Sequence, residues 1–304
     1  MSAKISLLLP TRERPAIARR FFDSVVEKTA DLNALEIVLY IDDDDDISSH
    51  ALDDHRINLK RLIGPRSTMG ACLTACLEQS DGEIIFLVND DMMIRTPGWD
   101  KILVEFYKSF NDRIFLAYGN DMFKSKKVCT FPIVSRKTCE VLSKPYPEEY
   151  RASLIDYHLF DIFKRLQKMG HDRIYYFKNL IFEHLHYRTG KAAFDTTYQK
   201  RDRFGDDGAF IDLRALRSSQ AQRLRSAING NGAGLMDSFE RNRAAFTPGN
   251  LAEAVPQYAK AFLSDDELPL LWRFQLFIWF CGRFLASKGH LSWYEKLRDK
   301  WACR

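Results

Sequence analysis

The stretch Glu83 to Asp100, EIIFLVNDDMMIRTPGWD, constrains this chain more than any other. Ile84 to Val88 is an unbroken apolar run, too short for a helix and rich in branched side chains, which predicts a strand buried on both faces of a parallel sheet. It stops on Asn89, Asp90 and Asp91. Two adjacent carboxylates at the end of a buried strand are costly unless paired, and a divalent cation bound through oxygen is a common partner. Ligands of open α/β sheets gather at that end of the strands. The competing reading is a solvated turn continued by Pro97 and Gly98.

The same design occurs twice upstream. Ile5 to Leu9 is an apolar run broken by Pro10 and followed by Thr11, Arg12, Glu13 and Arg14. Pro15 suits the first turn of a helix on which Ala18, Phe21, Phe22 and Val25 recur at helical spacing. Glu36 to Ile41 runs straight into five acids, Asp42 to Asp46, of which only the first one or two are close enough to the strand to be held rigidly. Arg66 to Gly70 opens a helix with Met69, Cys72, Leu73, Cys76 and Leu77 on one face, closed by Asp81 and Gly82. Three strands alternating with two helices predict a βαβαβ unit with right-handed crossovers and one rim of polar residues. That rim mixes a basic loop with acids from two strands, which suits a nucleotide diphosphate with its metal. Neither GxGxxG nor GxxxxGK[ST] is present, so the dinucleotide and phosphate-loop sites are disfavoured.

Composition adds limits. With 304 residues, 46% of them apolar, the chain can build a large core. Its net charge is only +4, so whole-molecule attraction to nucleic acid is not implied. The cysteines, Cys72, Cys76, Cys129, Cys139, Cys281 and Cys303, lack the density of a disulfide scaffold. Cys72 and Cys76 read as core rather than as a ligand pair. A reducing cytoplasm fits, and no charged and apolar leader precedes the first strand.

ISLLLPTRERP, IVLYIDDDDD and RSTMGACLTACLEQSDGEIIFLVNDD together resemble the amino-terminal half of family 2-type glycosyltransferases with the GT-A fold. The resemblance covers Ile5 to Asp100 and extends suggestively to Asp195. It implies an α/β fold, a Rossmann-like, mostly parallel sheet flanked by helices, with a carboxyl-terminal helical extension. It places Thr11, Arg12 and Arg14 near the base and ribose, Asp42 or Asp43 on the base or ribose, and Arg66 and Gly70 beside the nucleotide. The family's Asp-x-Asp motif stands here as Asn89-Asp90-Asp91. Asp91 matches its last acid and is the expected metal ligand, with Asn89 and Asp90 on the nucleotide sugar or Asp90 as a second ligand. The implied cofactor is Mn²⁺ or Mg²⁺, which keeps few protein carboxylates and takes other ligands from phosphate and water. The implied donor is a nucleotide-diphosphate sugar, UDP-linked in preference to GDP- or dTDP-linked, and the acceptor a hydroxyl of a glycan or lipid-linked glycan, which displaces the diphosphate with inversion at the sugar.

Further along, Trp99 to Phe110 predicts a helix, Ile114 to Tyr118 a strand, and Lys124, Lys126 and Lys127 a solvated turn or a phosphate contact. Val128 to Val134 reads as extended, with Ser135 as the N-cap of a short helix. Leu154 to Met169 is the clearest amphipathic pattern. Asp156, near its start, is the candidate general base by resemblance, against the reading of an acid favoured there by the helix dipole. Asp161 reads as a surface acid or a partner of Arg165. Asn179 to Tyr187 reads as a strand with His184 and His186 on one face. By resemblance His184 contacts the metal or diphosphate, with His186 and Asp195 behind it. A zinc hydrolase built on the two histidines is a rival lacking HExxH spacing.

From about residue 201 the composition shifts. The expected organisation is a nucleotide-sugar-binding and catalytic domain over residues 1–200 and a helical extension over 201–304, with Asn229 to Leu235 as a flexible link. Leu268 to Ala286 is intensely apolar, but Arg273 and Arg283 interrupt it, so it is not expected to span a membrane. With Trp293, Lys296, Arg298, Lys300 and Trp301 it can lie at a membrane interface, pack in a core, or join two copies of the chain. The combined expectation is a cytoplasmic, metal-dependent transferase, at the inner face of a membrane if its acceptor is lipid-linked. A sugar-nucleotide nucleotidyltransferase and a non-catalytic sugar- or membrane-binding protein are the alternatives.

Overall fold

Leu7 and Leu8 are neighbours in sequence and belong to different cores, one on each face of a central sheet. Leu7 packs with Phe21, Phe22, Trp99 and Leu103, and Leu8 with Cys72, Leu73, Val134 and Leu159. Each such fully buried side chain contributes about 1.5–3 kcal/mol relative to exposure. The computed structural model describes residues 3–200, 202–230 and 248–290. Its strands are β1 (Ile5–Thr11), β2 (Leu35–Asp42), β3 (Asn58–Gly64), β4 (Ile84–Leu87), β5 (Met92–Ile94), β6 (Leu116–Asn120), β7 (Ile133–Ser135) and β8 (Ile174–His184). They form one mixed sheet ordered β3-β2-β1-β4-β7-β6-β8-β5. The first four are parallel, and β7 and β5 run against their neighbours. This is the expected α/β architecture. It has two more strands in this region than the sequence pattern predicts. NLKRLIG in β3 keeps neither an apolar run nor a strict alternation because it is the sheet's edge, and β5 has only three residues, too few for a periodic signal.

Helices Pro15–Lys28 and Trp99–Lys108 cover one face, and helices Met69–Gln79 and Ile155–Lys168 the other. Thr68 and Ser135 cap the helices that follow them, accepting from the backbone N–H of Ala71 and of Thr138. Cys72 and Cys76 are buried free thiols in the core, and burial pushes Cys72 up to about 12. Phe86, Trp99 and Phe182 meet with ring centroids 4.9–5.8 Å apart and lock β4 to β8.

The helices after residue 201 share this core. Leu224, Tyr258 and Phe280, from helices Arg214–Ile228, Leu251–Tyr258 and Leu270–Ser287, belong to the same apolar cluster as Leu8, Val38 and Leu159. The last helix turns Trp272, Leu276, Phe280 and Phe284 inward at four-residue spacing and exposes Leu270, Leu271, Phe274 and Ile278. Among the described residues no helix is long and apolar enough to cross a membrane. The basic aromatic tail with Trp293, Lys296, Arg298, Lys300 and Trp301, the last cysteine, Cys303, and residues 231–235 of the expected link lie outside the described residues.

Two buried polar assemblies join these helices to the rest. Asp161 is fully buried, not a surface acid. It accepts from Arg165 Nε at 3.0 Å, Arg217 Nε at 2.8 Å and Trp272 Nε1 at 3.0 Å, while Arg165 also pairs with Asp265 and Glu267 at 2.6 and 2.7 Å. Burial alone would raise the Asp161 pKa, but Arg165 and Arg217 hold it down at about 2. Nearby, Tyr150 OH and Gln220 Oε1 flank the His158 ring at 2.9 and 3.1 Å, a set of partners that suits the neutral imidazole.

Burial pulls His158 down to about 3, so the unfolded chain takes up a proton near pH 6.5 that the native state refuses. Stability is therefore lost as pH falls below 6.5, at up to about 1.4 kcal/mol per unit, until about pH 3. Urea unfolding from pH 7 to 4 should show this slope, and His158→Gln should flatten it. An unchanged slope in the variant would place the acid sensitivity elsewhere.

Candidate active site

The carboxyl ends of β1, β2 and β4 open onto a cavity of about 1200 Å³, lined as well by residues 151–157 and by Trp279 and Arg283 of helix Leu270–Ser287. Asp90 and Asp91 lie at its floor, both buried. Thr11 Oγ1 donates to Asp90 Oδ2 at 2.8 Å, and Arg14 Nη1 to Asp90 Oδ1 at 3.2 Å. Burial, reinforced by the adjacent Asp91 carboxylate, raises Asp90 to about 6 in spite of Arg14. Asp91 goes the other way. Burial opposes its charge, yet the neighbouring His184 imidazole and the hydrogen bond from the Tyr198 hydroxyl hold it well below the ordinary carboxylate range. His184 Nε2 stands 3.3 Å from Asp91 Oδ2, and the Tyr198 hydroxyl donates to the same oxygen at 2.6 Å.

The short β5 explains how Asp91 and His184 meet. It pairs antiparallel with β8 so that Met92 faces His184, and the Leu185 N–H closes the ladder on the Asp91 carbonyl at 2.8 Å. His186 lies just past the strand. Its ring centroid is 5.0 Å from that of His184, and it stacks on Phe123. Asp195 receives Arg14 through two hydrogen bonds of 2.9 Å, and Arg14 lies over the Tyr198 ring at 4.5 Å.

At the ends of β1 and β2, Arg12 Nη1 bonds Asp42 at 2.8 Å and its guanidinium also grips Asp44. Asp42, Arg66 and Asn89 line the cavity. Asp43 does not; it is exposed, and Asp45 turns inward in its place to cap helix Asp46–Ala51 and accept from the Glu13 N–H at 2.7 Å. Gly70 also lies off the cavity wall. A Cβ there would sit 1.9 Å from the Pro147 carbonyl oxygen, so the absence of a side chain lets the segment before Arg151 pack on the helix start.

Asp156 also lines the cavity, half-buried in the first turn of its helix, accepting from the Tyr157 N–H at 2.9 Å. Leu154, which precedes that helix, has φ of +69°, a strained setting for a bulky residue. Asp206 braces the approach, accepting from the N–H groups of Arg151, Ala152 and Ser153 at 2.6–3.0 Å. Of the lysine-rich turn, Lys124 lines the cavity and reaches Tyr157 OH at 3.4 Å. Tyr198, Trp279 and Arg283 arrive from later helices with no spacing that announces them.

Asp91 Oδ1 is buried without a hydrogen-bond partner, as is His184 Nδ1. An orphaned carboxylate oxygen beside an imidazole fits a divalent cation. Among the described residues no three His, Cys, Asp or Glu side chains converge as a closed site, so such an ion would draw its other ligands from phosphate and water.

Residues 6–124 match the sequence model of the family described as Glycosyl transferase family 2. No curated protein sequence matches the chain. Among solved structures, it is similar to the mannosyltransferase PcManGT from Pyrobaculum calidifontis, at 14% identity and TM-score 0.50 over 100% of this chain and 84% of that one. It is likewise similar to S. aureus TarS 1-349, at 13% identity and TM-score 0.50 over 94% of this chain and 92% of that one. Residues 6–124 thus carry a family 2 glycosyltransferase domain, and the chain as a whole is built on the GT-A fold.

Proposed function

We propose that this protein is a divalent-metal-dependent, inverting hexosyltransferase that moves a sugar from a nucleotide diphosphate to a hydroxyl of a glycan or lipid-linked glycan. The observation that carries the reading is the orphaned Asp91 oxygen beside His184, in a cavity that Asp156 also lines. Asp91 and His184 would hold the cation, and a bound cation stabilises the negative charge that builds on a departing diphosphate. Thr11, Arg12, Arg14, Asp42 and Arg66 surround the position proposed for the nucleoside. Asp156 takes the proton of the acceptor hydroxyl as its oxygen bonds the anomeric carbon and the bond from that carbon to the diphosphate oxygen breaks. One displacement with base and leaving group on opposite sides inverts the centre. Manganese and a UDP-sugar are the preferred cofactor and donor in this reading; PcManGT was solved with GDP-Man and Mn²⁺, which makes GDP the first alternative.

Thermal stabilisation by UDP, GDP, CDP or dTDP, with Mn²⁺ or with chelator, tests the donor side directly. One nucleotide should raise the midpoint only with metal, and Asp91→Ala should lose that increment. Failure of every nucleotide at millimolar concentration would sink the transferase reading and favour a non-catalytic binding protein.

A further inference from the structure

The whole chain carries a net charge of only +4, yet cations gather at the end of the cavity next to Asp156. Arg283 is balanced there, its Nε donating to both Asp207 oxygens at 2.8 and 3.0 Å. Lys124 and Arg188 are not. Neither makes an ion pair with a carboxylate among the described residues: Lys124 Nζ donates to Tyr157 OH at 3.4 Å, and Arg188 Nε to Tyr187 OH at 3.2 Å.

Lys124 is held in this position from below. Asp121 Oδ1 accepts from the N–H groups of Phe123, Lys124 and Ser125 at 2.6–3.0 Å, and Met122 and Ser125 adopt φ of +55° and +52° to make that turn. Such strained settings persist only where the surroundings enforce them. A lysine on an open turn would extend into water, whereas this one lies 5.5 Å over the Tyr157 ring and 5.9 Å from that of Trp279. Burial pulls its ammonium below the ordinary lysine range, against the charge of Asp156 and together with the charges of Arg188 and Arg283. Two partly desolvated like charges facing one cavity are unfavourable until an anion joins them.

On the reading of the cavity as a transferase site, we propose that its acceptor carries an anionic group, a phosphate or a carboxylate, bound by Lys124 and Arg188 while the acceptor hydroxyl faces Asp156. Arginine suits such a group through its planar fork, and lysine as a point charge. The stacked Tyr157 and Trp279 rings, 4.1 Å apart, supply the apolar border against which the rest of the acceptor sits.

The test is calorimetric titration of the full chain saturated with its stabilising nucleotide and Mn²⁺. The probes are hexoses, each compared with its 6-phosphate and its uronic acid, and inorganic phosphate. One anionic form should bind at least about ten-fold tighter than its neutral parent, the worth of one charge-assisted hydrogen bond. Lys124→Met and Arg188→Gln should each erase that preference and keep the nucleotide-dependent stabilisation. Equal binding of neutral and anionic sugars, with nucleotide binding intact, overturns the inference while sparing the transferase reading. Loss of nucleotide binding in both variants also overturns it, assigning the cations to the donor diphosphate. Inorganic phosphate binding as tightly as the sugar phosphates would remove the sugar's role and reject an acceptor site. If no nucleotide stabilises the wild-type chain, the transferase reading fails and takes this inference with it.

Discussion

Asp156→Asn is expected to lower turnover by about 10²–10⁴-fold, the range for removing a positioned general base, with the metal-dependent nucleotide stabilisation unchanged. The substitution keeps the shape of the side chain and its position beside the Tyr157 N–H, so the helix start and the strained Leu154 are not disturbed. What it removes is a carboxylate able to accept a proton. Steady-state turnover and nucleotide thermal shifts on the same preparation separate the two effects. A variant with near wild-type turnover would return Asp156 to the role of a helix-terminal acid. One that loses nucleotide binding as well would place it on the donor side.

The largest stability effect should come from a residue that touches no ligand. Asp161→Ala is expected to cost about 3–5 kcal/mol, because it strips a buried carboxylate from two buried guanidinium groups. Arg165 would retain Asp265 and Glu267, but Arg217 would lose its carboxylate and be left with the neutral Phe210 carbonyl, the Phe210 ring and Tyr150, and Trp272 Nε1 would lose its acceptor. A loss of that size is a large part of the stability of an ordinary domain. Lys137→Ala, which breaks the exposed 3.6 Å pair with Glu140, is the contrasting control and should cost at most about 1 kcal/mol. Urea unfolding of both variants decides it: similar small losses would mean that the cluster is energetically dispensable.

The parts of the fold that sequence makes plain are those buried on two faces. Ile5–Leu9, Glu36–Ile41 and Ile84–Val88 announce their strands because both faces of each need apolar residues, and the polar residues that follow mark the rim of the cavity. The edge strand β3 carries no such requirement, and β5 is held by pairing with a segment about ninety residues away. The same limit applies to the site. Thr11, Arg14, Asp90 and Asp91 converge because they end neighbouring strands, which the pattern reveals. Asp43 fails to join them since the turn after β2 rotates Asp45 inward instead, a choice made by the Glu13 N–H and the Ser48 N–H it satisfies. Gly70 meets a need for space in this chain, and spacing alone does not distinguish packing from contact with a nucleotide. Tyr198, Trp279 and Arg283 are brought in by tertiary packing of segments whose local sequence says nothing of a cavity, and nothing local singles out Lys124 from the other lysines of its turn.

Trp272 and Trp279 are seven residues apart, so they emerge from nearly the same side of their helix. Both rings lie almost parallel to Tyr157, at 6.2 and 4.1 Å, and Trp272 is pinned to Asp161 by its indole N–H. Tyr157 is the next residue after Asp156. The direction in which the candidate base points is therefore set as if by a vice whose second jaw lies more than a hundred residues away. Sliding or turning that one helix would re-aim Asp156 without altering a single strand, so on the proposed reading substitutions in helix Leu270–Ser287 would tune the reach of the base while the rim of β1, β2 and β4 stays fixed.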